Sequence, residues 1–68
     1  MKNLKLMVAR TLCGISQTEL ALRVGVTRQT VCLIEAGKYN PTLALCIRIC
    51  KVLGKTLDEI FWEDEEHA

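Results

Sequence analysis

Residues 17–36 read QTELALRVGVTRQTVCLIEA, and the middle of this stretch decides the fold. Leu20, Ala21 and Val24 recur at helical spacing up to Gly25, and Val31 and Ile34 do so again beyond Thr27. Ser16, just ahead, and Glu19 carry the signature of a capping box, in which the hydroxyl accepts from the Glu19 amide and the carboxylate reaches back. Gly25 adopts a left-handed conformation at least cost, so the first helix is expected over Gln17–Val24. Thr27 can cap a second helix over Arg28–Ala36. Two helices parted by so short a glycine turn cross steeply, at roughly 90–120°. Small Ala21 lets their backbones approach. The pattern is a helix-turn-helix.

Outward from this core the same punctuation repeats. A helix over Asn3–Leu12 would place Leu6, Ala9 and Cys13 on one side, with Cys13-Gly14 ending it. After the pair, Lys38-Tyr39-Asn40-Pro41 makes a loop, because Pro41 disfavours helical geometry at Asn40. Thr42 caps a helix over Leu43–Leu53 that Gly54 ends. Its inward side holds Leu43, Cys46, Ile49, Cys50 and Leu53, while Leu45, Ile47 and Val52 widen the apolar arc, so this helix is expected at the centre. Thr56 and Glu59 form a second capping box before Leu57, Ile60 and Phe61. The expectation is an all-α fold of five helices over residues 1–62, followed by an acidic tail, 63–68. A short strand over 61–63 is the alternative at the end of the domain.

Sixty-eight residues support one small domain with a thin core. The formal net charge of +1 conceals a division. Residues 1–55 hold all nine Lys and Arg against Glu19 and Glu35, whereas residues 56–68 hold six acids and no Lys or Arg. A basic body of this size attracts polyanions, and the acidic end limits nonspecific adhesion or faces another protein. No membrane span or signal peptide is expected, since charged and polar residues interrupt every apolar run.

Cys13, Cys32, Cys46 and Cys50 lie in or beside apolar helical stretches, where free cysteine packs as a small hydrophobe. Buried free thiols are therefore expected, and with them a reducing cytoplasm. Disulfides and redox or metal sensing are the alternatives. No metal site and no cofactor are expected, because the cysteines lack paired C-x2-C spacing and the one histidine, His67, sits in the tail.

The second helix of the pair begins with Arg28, Gln29 and Thr30, with Cys32 and Leu33 further along and no acid before Glu35. A helix fits the major groove of DNA. Arg can bond bidentately to guanine and Gln to adenine, while Thr or an apolar group touches a thymine methyl. Helix N-terminal amides and the Thr27 hydroxyl can take phosphate oxygens. Arg28, Gln29, Thr30 and Leu33 are thus the candidate base readers. Solvation of an exposed first turn is the bland alternative.

Taken together, ISQTELA, VGVTRQTVCLIEAGKYNP and the TLDEIF ending resemble the Cro and phage-repressor type of helix-turn-helix regulators, the Xre family, over roughly Leu4 to Phe61. The resemblance implies a lambda-repressor-like fold and DNA binding. It implies that Gln17 holds a phosphate and supports the recognition helix, and that Arg28, Gln29 and Leu33 face base edges. Thr27, Lys38, Tyr39 and Asn40 would hold the DNA backbone. It also implies an internal pair between Arg10 and Glu35, against a simpler reading of Arg10 as a phosphate ligand. Leu33, often polar in relatives, and Cys46 and Cys50, in place of the more usual Leu or Ala, depart from the pattern.

One recognition helix reads few base pairs, so a homodimer on a pseudo-palindrome is expected. Its interface is assigned to Leu57, Ile60, Phe61 and Trp62, with part of the fourth helix such as Leu45 or Val52; relatives pair through the same end. Trp62 folded over its own core is the competing arrangement. The leading function is a sequence-specific repressor acting by occupancy, without a further domain to sense ligands. An antitoxin that binds a protein partner and autoregulates its operon is the alternative. No nucleophile lies beside a base, so no enzyme is expected.

Overall fold

A computed structural model of the chain describes residues 2–62. Its elements are α1 (Leu4–Leu12), α2 (Gln17–Val24), α3 (Arg28–Glu35), α4 (Leu43–Leu53) and α5 (Leu57–Ile60). Four caps of one kind set the starts. Asn3, Ser16, Thr27 and Thr42 each accept, through a side-chain oxygen, the amide three residues on. Asn3 therefore stands just outside α1, and Ala36 stands just past α3 as its C-cap. Gly25 at φ 79° and Gly54 at φ 68° end α2 and α4 in the left-handed region that a side chain would strain.

The expected reciprocity at Ser16 is absent. Ser16 accepts from the Glu19 amide at 3.0 Å, but the Glu19 carboxylate turns instead to Arg23, whose Nε donates at 2.8 Å. An arginine one turn on is a better partner for a carboxylate than a neutral amide. At α5 the backward bond does form, with the Thr56 amide donating to Glu59 Oε1 at 2.8 Å.

Leu6, Leu20, Val31 and Ile49, one from each of the four longer helices, are fully covered at the centre. Around them pack Ala9, Ala21, Val24, Ile34, Leu45, Cys50, Leu53 and Ile60. The α2–α3 pair is the most closely packed, and α4 lies against α2. Arg48 of α4 donates through Nε to the Val24 carbonyl at 3.1 Å, joining α4 to the end of α2 beside the turn.

Several expectations need correction. Leu43 opens α4 on the solvent side, because the side of the wide apolar arc that meets α2 is the one carrying Leu45 and Ile49. Cys13 and Cys32 are exposed, leaving Cys46 and Cys50 as the buried thiols. Burial pushes both of the latter thiols up in pKa, Cys50 with added repulsion from Cys46, Glu59 and Asp58. Ile60 is only 2% exposed, so it belongs to the core and not to a subunit interface; Leu45 is removed from that role for the same reason. Phe61 and Trp62 are not strand, and position 63 of the alternative strand lies outside the described residues, as does the acidic tail.

Candidate nucleic-acid interface

Thr27 fixes the start of α3. Its Oγ1 accepts the Thr30 amide at 3.2 Å and lies 3.1 Å from the Thr30 hydroxyl. Only the Arg28 and Gln29 amides of the first turn are left without a partner among the described residues, the usual condition of a helix N-terminus. Arg28 and Gln29 are exposed, and neither side chain is engaged in an ion pair or hydrogen bond among the described residues. Leu33, four residues after Gln29, is half-buried on the same side. Thr30 is half-buried and turned towards the cap, at the margin of that face.

The other end of α3 is held from three directions. Glu35, 2% exposed, receives Arg10 Nε at 2.7 Å and Gln17 Nε2 at 2.9 Å. A second Arg10 nitrogen lies 3.4 Å from Glu35, and a third donates to the Ile15 carbonyl at 2.9 Å. The Asn3 amide donates to the Glu35 carbonyl at 2.9 Å. A carboxylate at this depth needs such partners, since an unpaired buried charge is costly. Arg10 is thereby committed to the interior. Gln17 uses one amide hydrogen on Glu35 and keeps the other, so it stands between α3 and the solvent at the start of α2.

Lys38, Tyr39 and Asn40 are all exposed in the loop that follows α3. The Lys38 amide donates to the Leu33 carbonyl at 2.9 Å, which starts this loop directly from the last turn of the helix. Both acids of the basic body are consumed internally, Glu19 by Arg23 and Glu35 by Arg10. The positive excess is left to residues such as Arg28 and Lys38.

Cys32 belongs to this surface and was missing from the candidate readers. It is exposed, one turn after Arg28 and on the side of α3 away from buried Val31 and Ile34. The i, i+4 relation to Arg28 carried that signal; treating cysteine as a buried hydrophobe hid it. The Gln17–Glu35 bond is the support of the second helix that the resemblance implies for Gln17; the residues alone offer only an acid flanked by core positions, which demands a donor without saying from where.

Residues 6–60 match the family HTH_3, described as Helix-turn-helix. The chain is 46% identical over 67 residues to the uncharacterized HTH-type transcriptional regulator YgzD of Bacillus subtilis, covering 98% of this chain and 100% of that one. A second relative, the uncharacterized HTH-type transcriptional regulator MJ0272 of Methanocaldococcus jannaschii, is also 46% identical, over 97% of this chain and 100% of its own length. Among solved structures, the restriction-modification controller protein C.AhdI from Aeromonas hydrophila superposes with a TM-score of 0.78 at 32% identity, covering 84% of this chain and 86% of that one. A capped, outward-facing second helix, the glycine turn before it and a match over most of the chain agree: this protein belongs to the Xre-type helix-turn-helix family of DNA-binding transcriptional regulators.

Proposed function

We propose that the chain is a repressor that occupies a pseudo-palindromic operator as a homodimer, in the cytoplasm and without chemistry of its own. The observation that carries this reading is the first turn of α3, where Arg28 and Gln29 are exposed and uncommitted while the far end of the helix is clasped by Arg10 and Gln17. Arg28 reads a guanine and Gln29 an adenine, with Leu33 against a thymine methyl and Thr30 at the edge of the contact. Phosphates on either side are held by the second amide hydrogen of Gln17, by the α3 N-terminus at Thr27, and by Lys38, Tyr39 and Asn40. Because Gln17 also holds Glu35, a phosphate bound there stiffens the same network that fixes the reading helix. The subunits meet through Leu57, Phe61 and Trp62 at the end of α5, which sets two recognition helices on successive major-groove faces.

Selection from a random duplex library at a stated salt concentration tests this directly. The expected outcome is a pseudo-palindrome with half-sites about 10 base pairs apart, centre to centre. A single asymmetric site would remove the dimer, and failure to enrich any site would remove the operator and favour a protein partner.

A further inference from the structure

One side of α1 is left apolar and outside the core. Leu4, Val8 and Leu12 recur every fourth residue and remain 60%, 54% and 79% exposed, while Leu6 on the other side is buried and Ala9 lies buried at the base between them. Together with Ile60 of α5 they wall a groove of about 460 Å³, with Lys5 and Lys55 among its lining residues. Glu59 also borders the groove, where its carboxylate accepts from the Thr56 amide.

Trp62 stands at the rim. Lys5 Nζ donates to the Trp62 carbonyl at 2.9 Å, and the tryptophan itself is 67% exposed. The Trp62 backbone is thus tied to a residue that lines the groove, while the exposed tryptophan is not among the lining residues itself. Glu63, Asp64, Glu65 and Glu66 follow it directly in sequence.

We propose that in the homodimer the partner's Trp62 enters this groove, and that the exchange is reciprocal. The inference rests on the dimeric reading above and assigns the receiving surface, which α5 alone does not provide. An aromatic residue followed in sequence by acids complements an apolar floor whose rim carries Lys5 and Lys55 beside Glu59. The volume falls within the roughly 300–1,000 Å³ range of sites that engulf a compact group. Each subunit contributes one tryptophan and one groove, so a two-fold axis satisfies both at once. If each indole and the wall it covers each lose roughly 150–250 Å², the two exchanges remove roughly 600–1,000 Å², half or more of the smallest stable interfaces at about 1,200 Å². Leu57 and Phe61 add to that area.

The chain has a single tryptophan, so Trp62 fluorescence reports its own surroundings. Emission and sedimentation are followed together as protein concentration rises. The expected result is a blue shift in step with dimer formation. Trp62→Ala and Val8→Glu each raise the dimer dissociation constant about 30-fold or more, as for loss of a buried aromatic anchor. Circular dichroism stays unchanged in both, because neither side chain is in the core. Mixing the two variants restores part of the association, since the mixed dimer keeps one intact tryptophan–groove pair. A dimer that survives both substitutions overturns the proposal. So does emission that is shifted at every concentration, as for a groove filled within one chain, or a chain that never self-associates. Failure of the operator reading alone looks different: no DNA site is enriched, while the emission shift and the complementation by mixing persist.

Discussion

The two ends of α3 are built on opposite plans. At the last turn, Glu35 is sealed from water and meets donors from α1 and α2 within 2.9 Å. At the first turn, Arg28 and Gln29 have solvent around them, and Thr27 uses its hydroxyl only to close the helix. Rotamer freedom is spent at one end so that the other can present unspent donors at a fixed angle. A reading helix fixed at both ends would have no groups to offer, and one fixed at neither would pay ordering entropy at each encounter.

The largest expected effect comes from breaking the closed end. Arg10→Met leaves Glu35 buried without its cation and costs about 3–5 kcal/mol, measured by urea denaturation. Replacing both, Arg10→Met with Glu35→Met, recovers most of that loss, which a phosphate-binding Arg10 would not do. At the open end, Arg28→Ala leaves denaturation unchanged and costs about 1–3 kcal/mol of operator affinity, confined to one base position. A uniform loss across all base substitutions would move Arg28 to the DNA backbone. Lys38→Ala has the smaller, sequence-independent effect: affinity falls alike on every duplex and the salt slope drops by about one.

The mildest test involves no substitution. Alkylation at neutral pH is expected to reach exposed Cys13 and Cys32 and to spare Cys46 and Cys50, whose burial both shields them and holds them as thiols. Bound operator then protects Cys32 and leaves Cys13 reactive. Equal protection of the two would take α3 out of the groove.

Much of this comparison is readable in the chain itself. The bounds of α2 and α4 follow from a hydroxyl at one end and a glycine at the other, because capping is a local affair of three or four residues. Depth was harder to read. Periodicity tells which residues share a face, but whether Leu43 or Leu45 meets the core depends on where α2 crosses α4. Ile60 reads in sequence as apolar surplus beyond what so thin a core absorbs, yet α5 lies against both α1 and α4. Glu19 shows the limit of a motif: the box residues were present, and Arg23 competed for the carboxylate.

Asn3 spans two helices at once, opening α1 with its side chain and reaching the end of α3 with its amide. A tag or fluorophore fused ahead of it therefore tugs on α3 itself. Altered operator affinity in such a fusion would arise with Arg28, Gln29 and Leu33 all intact.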